Sequence, residues 1–298
     1  EIYSKKVWMA LRKASTVEAI CNTDYMGEIK SYGDTVNIVK EPQMTVAAYT
    51  RGLATTDVAI TDNELVLTID KANYFSFAVD SLEKRFGHIN FADTASNNAG
   101  YKLKDTMDTE VLLDMYTQAI NSGSTTDSLT PILAAGGVAA SKLIFGSIAA
   151  PIAINHVAGT DPLNFMSSCA QVMDEKDNPE ENRWFVAAPD FYNSLSDTSS
   201  KLLSIDYNAG KGSLRNGLVA SGLLRGFAMY KSNNVKDSNG DASVLFGHMR
   251  STSCANAMNT VESFRSPTTF ADQVRGLHVY GRKVLDKLSV GAGIITVT

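Results

Sequence analysis

The side chains able to do chemistry are few, and their spacing assembles no site. His88, His156, His248 and His278 stand far apart. None belongs to an HExxH pair, which would put two imidazoles on one helical face for zinc. Each therefore reads as a structural histidine. Cys21, Cys169 and Cys254 are equally scattered, with no CxxC. They suggest neither a zinc site nor a disulfide framework, and read as small buried hydrophobes of a reducing cell. Gly210-Lys211-Gly212-Ser213 falls short of a phosphate loop, because Lys211 is followed by Gly rather than Ser or Thr. It reads as a flexible loop. Asp174, Glu175, Asp177, Glu180 and Glu181 cluster around Pro179. Their oxygens would suit a divalent cation, yet a solvated acidic loop explains them first. No GxSxG elbow and no GxGxxG behind a strand is present. The expectation is no catalytic residue, no cofactor and no metal.

Composition points the same way. The chain has 298 residues, enough for one large domain or two ordinary ones. Charged residues make up 20%, below the typical value of about 25%, with Ser, Thr and Asn in their place. That leans towards a surface partly covered by something else. The net charge of −5 does not suit a dedicated nucleic-acid reader, which carries a basic patch. The only clustered positives are Lys5, Lys6, Arg12 and Lys13, which read as a solvated helix face. The N-terminus lacks the charged-then-apolar layout of a signal peptide. Residues 131–154 are apolar but carry Lys142 at their centre and much Ala and Gly. A mid-span lysine costs about 3 kcal/mol, so a segment packed against a helix or sheet is expected instead of a membrane span.

The elements are more telling than the motifs. Residues 1–28 read as an amphipathic arm, with Val7, Leu11, Ala14 and Val17 at helical spacing. Gly33-Asp34 signals a turn, and residues 35–39 a strand. Residues 65–80, LVLTIDKANYFSFAVD, contain no Gly or Pro, and Leu65, Leu67, Ile69, Phe75, Phe77 and Val79 share one face. A period of two predicts one long strand. At roughly 3.3 Å per residue it would run about 50 Å, as far as a compact chain of this length is wide. With the strand before it, it predicts an overgrown β-hairpin over 33–80 whose apolar face needs a partner surface, since an isolated ribbon is barely stable. Another copy of the chain is the partner expected. Leu103, Met107, Val111, Met115 and Ala119 recur every four residues and predict a helix over 90–121, with Asp93 and Thr94 available as caps and Asp108 facing away from the core. Further on, helices are expected over 161–173 and 190–196, and a strand over 184–187. The fold class is α+β.

The order of these parts resembles the major coat proteins of tailed bacteriophages with the Hong Kong 97-type capsid fold, those of short-tailed phages in particular. The stretches that carry the resemblance are GDTVNIVKEPQMTVAAYTRG with LVLTIDKANYFSFAVDSLEKR, then RWFVAAPDFYNSL, GLLRGFAMYKSNNV and FRSPTTFADQVRGLHVYGRKVL. Together they cover nearly the whole chain. The resemblance implies an N-terminal arm over 1–32 and an extended hairpin loop over 33–80 that lies on a neighbouring subunit. It implies a peripheral domain over 81–160 with a spine helix over 90–121, and an axial domain over 161–265. Return strands of the peripheral domain would occupy 266–298. It further implies a structural protein without catalysis, assembled as hexamers and pentamers into an icosahedral shell around double-stranded DNA. Scaffolding, portal and decoration proteins are further partners, no membrane is involved, and the location is the virion, assembled in the host bacterial cytoplasm. Leu65, Leu67, Ile69, Phe75, Phe77, Tyr49 and Arg51 become the expected inter-subunit contacts. Two features depart from parts of the family. There is no room for an inserted extra domain, and residues 41–63 contain no lysine, so covalent crosslinking through a loop-tip lysine is not supported.

Two other readings remain open on sequence alone. An encapsulating shell of the same fold would hold a cargo enzyme in place of DNA. A soluble α+β hydrolase would use one of the many serines, and a serine-reactive probe would find it.

Overall fold

A computed structural model describes residues 15–25, 35–40, 48, 51–52, 63–80, 91–121, 143–146, 151–156, 160–196, 223–235 and 243–297. Tyr49, His88, residues 210–213 and most of the expected arm lie outside them.

The largest sheet among the described residues has seven strands: β4 (Ile144–Phe145), β5 (Ile152–Ile154), β6 (Arg183–Ala187), β7 (Leu223–Leu224), β8 (Phe227–Lys231), β9 (Ser243–His248) and β12 (Val290–Val297). Their order is β4-β12-β9-β6-β8-β7, with β5 also paired to β12. Residues alternate between two cores. On β6, Trp184 and Val186 point to one side and Phe185 and Ala187 to the other. The second side is closed by α3 (Pro162–Asp174) and α4 (Pro189–Leu195), through Phe165, Met166, Cys169 and Phe191. Gly291 and Gly293 of β12 lie on this side because a Cβ there would strike the rings of Phe246 and Phe165. Both helices begin on a proline, whose missing N–H costs nothing at the first turn. Asp161 caps α3 by accepting the Leu163 N–H at 2.8 Å. These starts match expectation. The apolar segment 131–154 packs as expected where it is described, with β4 and β5 beside β12.

The first side is closed by α2 (Phe91–Asn121), the long helix read from the period-four stripe. Met107, Val111, Leu112, Met115, Tyr116 and Ala119 are buried against Trp184, Val186, Leu245 and Ile294. Two details differ from expectation. The helix already begins at Phe91, ahead of Asp93 and Thr94, which lie within its first turn. Asp108 is buried, because it accepts the Ser15 hydroxyl at 2.7 Å and the Thr16 N–H at 3.0 Å. That carboxylate seats α1 (Val17–Ile20), the described part of the expected arm, on the helix.

A three-stranded antiparallel sheet joins β3 (Lys71–Asp80) to β11 (Ala271–Val284) and β11 to β10 (Thr252–Arg265). Strand pairing thus crosses the expected division at 265/266. Residues 252–265 pair with 271–284, which pair in turn with 71–80, and 290–297 pair with strands of the 143–248 region. The single strand expected over 65–80 is also two strands. β2 (Asn63–Thr68) pairs with β1 (Thr35–Lys40), and after Ile69-Asp70 the chain changes partner to β11.

Candidate intersubunit surface

The β1–β2 ribbon pairs Thr35 with Thr68 and Lys40 with Asn63, so its 35/68 end is the one that continues into β3. Its inner face packs Ile38, Leu67 and Ile69 on Ala255 of β10 and Val279 of β11, with Val36 and Leu65 at the margin. The crossing is close. A Cβ on Gly281 would lie 2.5 Å from the Thr68 carbonyl oxygen and 3.0 Å from Ile69 Cα, so glycine is what lets two backbones meet there. The outer face shows Val39 and Val66 to solvent.

The three-stranded sheet has two different faces. One carries Asn73, Phe75, His278 and Tyr280 and turns towards α2. The Tyr280 hydroxyl donates to Glu110 at 2.6 Å and accepts from the Asn73 amide at 3.1 Å. Burial, then the Glu110 hydrogen bond, pushes the Tyr280 phenol well up from its ordinary value. Arg282 reaches Glu110 at 3.4 Å and Asp114 at 3.7 Å. Phe75 lies over Gly276, its partner in register, and its ring stacks on that of Phe77 at 6.1 Å. Phe75 also lines an open cleft of about 250 Å³ with Leu103, Met107 and Val261.

The opposite face carries Tyr74, Leu277, Arg275 and Phe264 in adjacent register rows. Near Val279 and Gly281 the ribbon covers it. Beyond that point it is open: Tyr74 is 77% exposed and Phe270, in the turn between β10 and β11, is 79% exposed. Arg275 holds Glu262 at 2.7 Å and stacks over the Phe264 ring at 4.9 Å. Fourteen residues in each of β10 and β11 give a ribbon of about 45 Å at 3.3 Å per residue. Scattered exposed hydrophobics are ordinary, whereas a row of them on one face of a sheet marks an interaction surface.

Against the sequence expectations, the seven chosen residues separate. Leu67 and Ile69 have no exposed surface, so the side chains expected to reach a neighbour are spent on the chain's own β10 and β11. Leu65 packs beside them. Phe75 and Phe77 are half-buried. Arg51 is exposed, followed by Gly52 in the left-handed region at φ 90°. Tyr49 lies outside the described residues. Sequence reasoning missed Tyr74, Val261, Phe264, Phe270 and Leu277. The signal was available in Ser266-Pro267, a turn between two alternating runs, which makes 252–284 a second long hairpin.

The remaining chemistry resolves into structure. His156 lies 2.8 Å from the Ser194 carbonyl oxygen and 3.3 Å from Asp161. His248 accepts the Arg250 N–H at 3.2 Å. Burial, followed by the charge of Arg250, lowers its pKa. Burial, followed by the charge of Lys104, lowers that of His278. The acidic loop is organised by Arg183, which binds Asp174 at 2.7 Å and donates to the Pro179 carbonyl at 2.7 Å. Its five carboxylates are exposed. Among the described residues no group of three His, Cys, Asp or Glu is placed to hold a metal ion. Nor is any helix among them long and apolar enough to cross a membrane.

No family model and no curated protein matches the chain. Solved structures match over nearly its full length. A chain of Mycobacterium phage Che8 is similar at a TM-score of 0.74 with 21% identity, over 98% of this chain and 96% of that one. The capsid of the cyanophage P-SCSP1u gives 0.72 and 18%, over 100% and 93%. The mature capsid of bacteriophage PhiM1 gives 0.68 and 16%, over 99% and 91%. The fold is therefore that of phage capsid subunits, the Hong Kong 97 type that the sequence resembles.

Proposed function

We propose that this chain is a major capsid protein of a tailed bacteriophage, a structural subunit that assembles in many copies into an icosahedral shell enclosing double-stranded DNA. The observation that carries this reading is the full-length likeness to subunits of assembled capsids, joined to two hairpins that leave apolar side chains uncovered. In this reading α2 and the β3–β11–β10 sheet form the peripheral domain. The seven-stranded sheet with α3 and α4 forms the axial domain, clustered at five-fold and six-fold axes. The β1–β2 ribbon, with the residues that join its two strands, extends along a neighbouring copy, which would cover Val39, Val66 and Arg51, and the distal half of the three-stranded sheet meets another through Tyr74, Phe264 and Phe270. Phe75 and Phe77 join that contact from the opposite face. Partners are hexamers and pentamers of the same chain, with packaged DNA inside and scaffolding, portal and decoration proteins in addition. Assembly takes place in the host bacterial cytoplasm, and the product is the virion.

Electron microscopy of the purified protein tests the assembly. Closed, uniform particles are expected, and a monomer at every concentration overturns the reading. Nuclease treatment of particles from infected cells tests the contents. Protected double-stranded DNA is expected, whereas a protein cargo without DNA would convert the shell into an encapsulating compartment.

A further inference from the structure

Cys21 and Cys254 are 233 positions apart in sequence, yet their sulfurs are 3.0 Å apart, with the Cys254 thiol donating to Cys21. Both are free and buried. Backbone bonds fix this approach. Asn22 bridges Ser253 in parallel, the Asn22 N–H donates to the Thr252 carbonyl at 2.8 Å, and the Cys254 N–H donates to the Asn22 carbonyl at 3.1 Å. The pair sits where the N-terminal segment is laid on β10, held further by Asp108 and by the Lys104–Glu18 pair at 3.0 Å.

We propose that Cys21 and Cys254 are an oxidisable pair, and that their disulfide staples the N-terminal segment to β10. A bonded pair needs sulfurs about 2.05 Å apart, so closure asks for a movement of about 1 Å. The oxidant is hydrogen peroxide, small enough for a closed interior. One thiol loses its proton, and its sulfur attacks the peroxide, taking one oxygen as a sulfenic acid while the O–O bond breaks. The released hydroxide takes up that proton as water. The second thiolate then attacks the sulfenic sulfur. The S–S bond forms, the S–O bond breaks, and hydroxide leaves with the second proton as a second water. The two sulfurs together lose two electrons to the peroxide. Reaction is slow, because only the thiolate attacks. The Cys254 hydrogen bond, then burial, then the Cys254 and Asp108 charges raise the Cys21 pKa well above its ordinary value. Slow closure suits a change of surroundings over a rapid sensor. The occasion for it rests on the capsid reading: a shell leaves a reducing cytoplasm for an oxidising medium.

The test uses the purified full-length protein, assembled or not, so it is independent of whether particles form. Samples held in reductant or treated with hydrogen peroxide are denatured in an alkylating agent and analysed by mass spectrometry. The reduced chain should take up three labels, as it has three cysteines. The oxidised chain should take up one, at Cys169, and yield a joined peptide pair containing Cys21 and Cys254, two hydrogen atoms lighter. It should also run faster on a non-reducing gel, and cleavage of residues 15–25 by protease should slow about tenfold, as for a segment whose local opening is suppressed. Cys21→Ser should abolish all three changes. Three labels after oxidation, or a join through Cys169, overturns the pairing. A formed disulfide that leaves cleavage unchanged overturns the staple.

Discussion

Leu67→Ala against Tyr74→Ala separates the part of the hairpin that belongs to the subunit from the part that belongs to the shell. Leu67 has no exposed surface and packs with Ile38, Ile69, Ala255 and Val279. Truncation to Ala removes three carbons, worth about 2.4 kcal/mol at roughly 0.8 kcal/mol per methylene. The small cluster sits between a ribbon and a sheet that can close partly, so the cavity adds only a fraction more. We expect a loss of about 3 kcal/mol, inside the range found for buried leucines. Tyr74 is 77% exposed, and its truncation should change the subunit's stability by no more than about 0.5 kcal/mol. Urea denaturation of the unassembled subunit, followed by tryptophan fluorescence, reads both. With a slope of about 3 kcal/mol per molar urea, Leu67→Ala should lower the midpoint by about 1 M and Tyr74→Ala should leave it in place. In assembly, followed by light scattering, Tyr74→Ala should show the deficit although its subunit is intact. Equal midpoints for both variants would refute the placement of Leu67. An unimpaired assembly rate for Tyr74→Ala would refute the role given to the open face.

Three other perturbations follow from single positions. Gly281→Ala puts a Cβ about 2.5 Å from a backbone oxygen and should unseat the ribbon, read as faster proteolysis within residues 41–62 and a loss of about 1–3 kcal/mol. Gly100→Ala lies in the interior of α2 with open space around the new Cβ, and should raise stability by about 0.5–1 kcal/mol in the same urea assay. The lowered pKa values of His248 and His278 predict acid sensitivity. The unfolded chain binds protons from about pH 6.5, while the folded chain binds them only at lower pH, so the unfolded state holds more protons in that window. Stability should be full above pH 6.5 and decline as pH falls through the folded values. The double His→Gln variant should show a flatter profile below about pH 6.5.

Local physics made much of the fold readable. A stripe repeating every four residues fixed α2, and Asp161-Pro162 and Ala188-Pro189 marked the starts of α3 and α4. The hairpin was harder for a specific reason. From Glu64 to Asp80 odd positions are buried or half-buried and even ones exposed without interruption. The alternation continues although the strand breaks at Ile69-Asp70, because β2 hides its odd residues on the β10–β11 sheet and β3 turns its odd residues towards α2. Two partners reward the same parity, so periodicity cannot report the change. Pairing across 265/266 is illegible for a similar reason: pairing partners are a property of tertiary structure, and although the Ser266-Pro267 turn marks β10 with β11, nothing local marks that β11 goes on to β3 or that β12 joins β9. Asp108 looked like one more exposed carboxylate until the orphan N–H of Thr16 supplied its reason. The Cys21–Cys254 contact, with 232 residues between, leaves no trace in spacing.

The most direct measurement is a reconstruction of the purified particles by electron cryomicroscopy at side-chain resolution. The account predicts a closed icosahedral shell in which Tyr74, Phe264 and Phe270 lie within van der Waals distance of neighbouring copies, while Leu67 and Ile69 touch only their own chain. Particles in which the open sheet face and the β10–β11 turn meet solvent alone would contradict it.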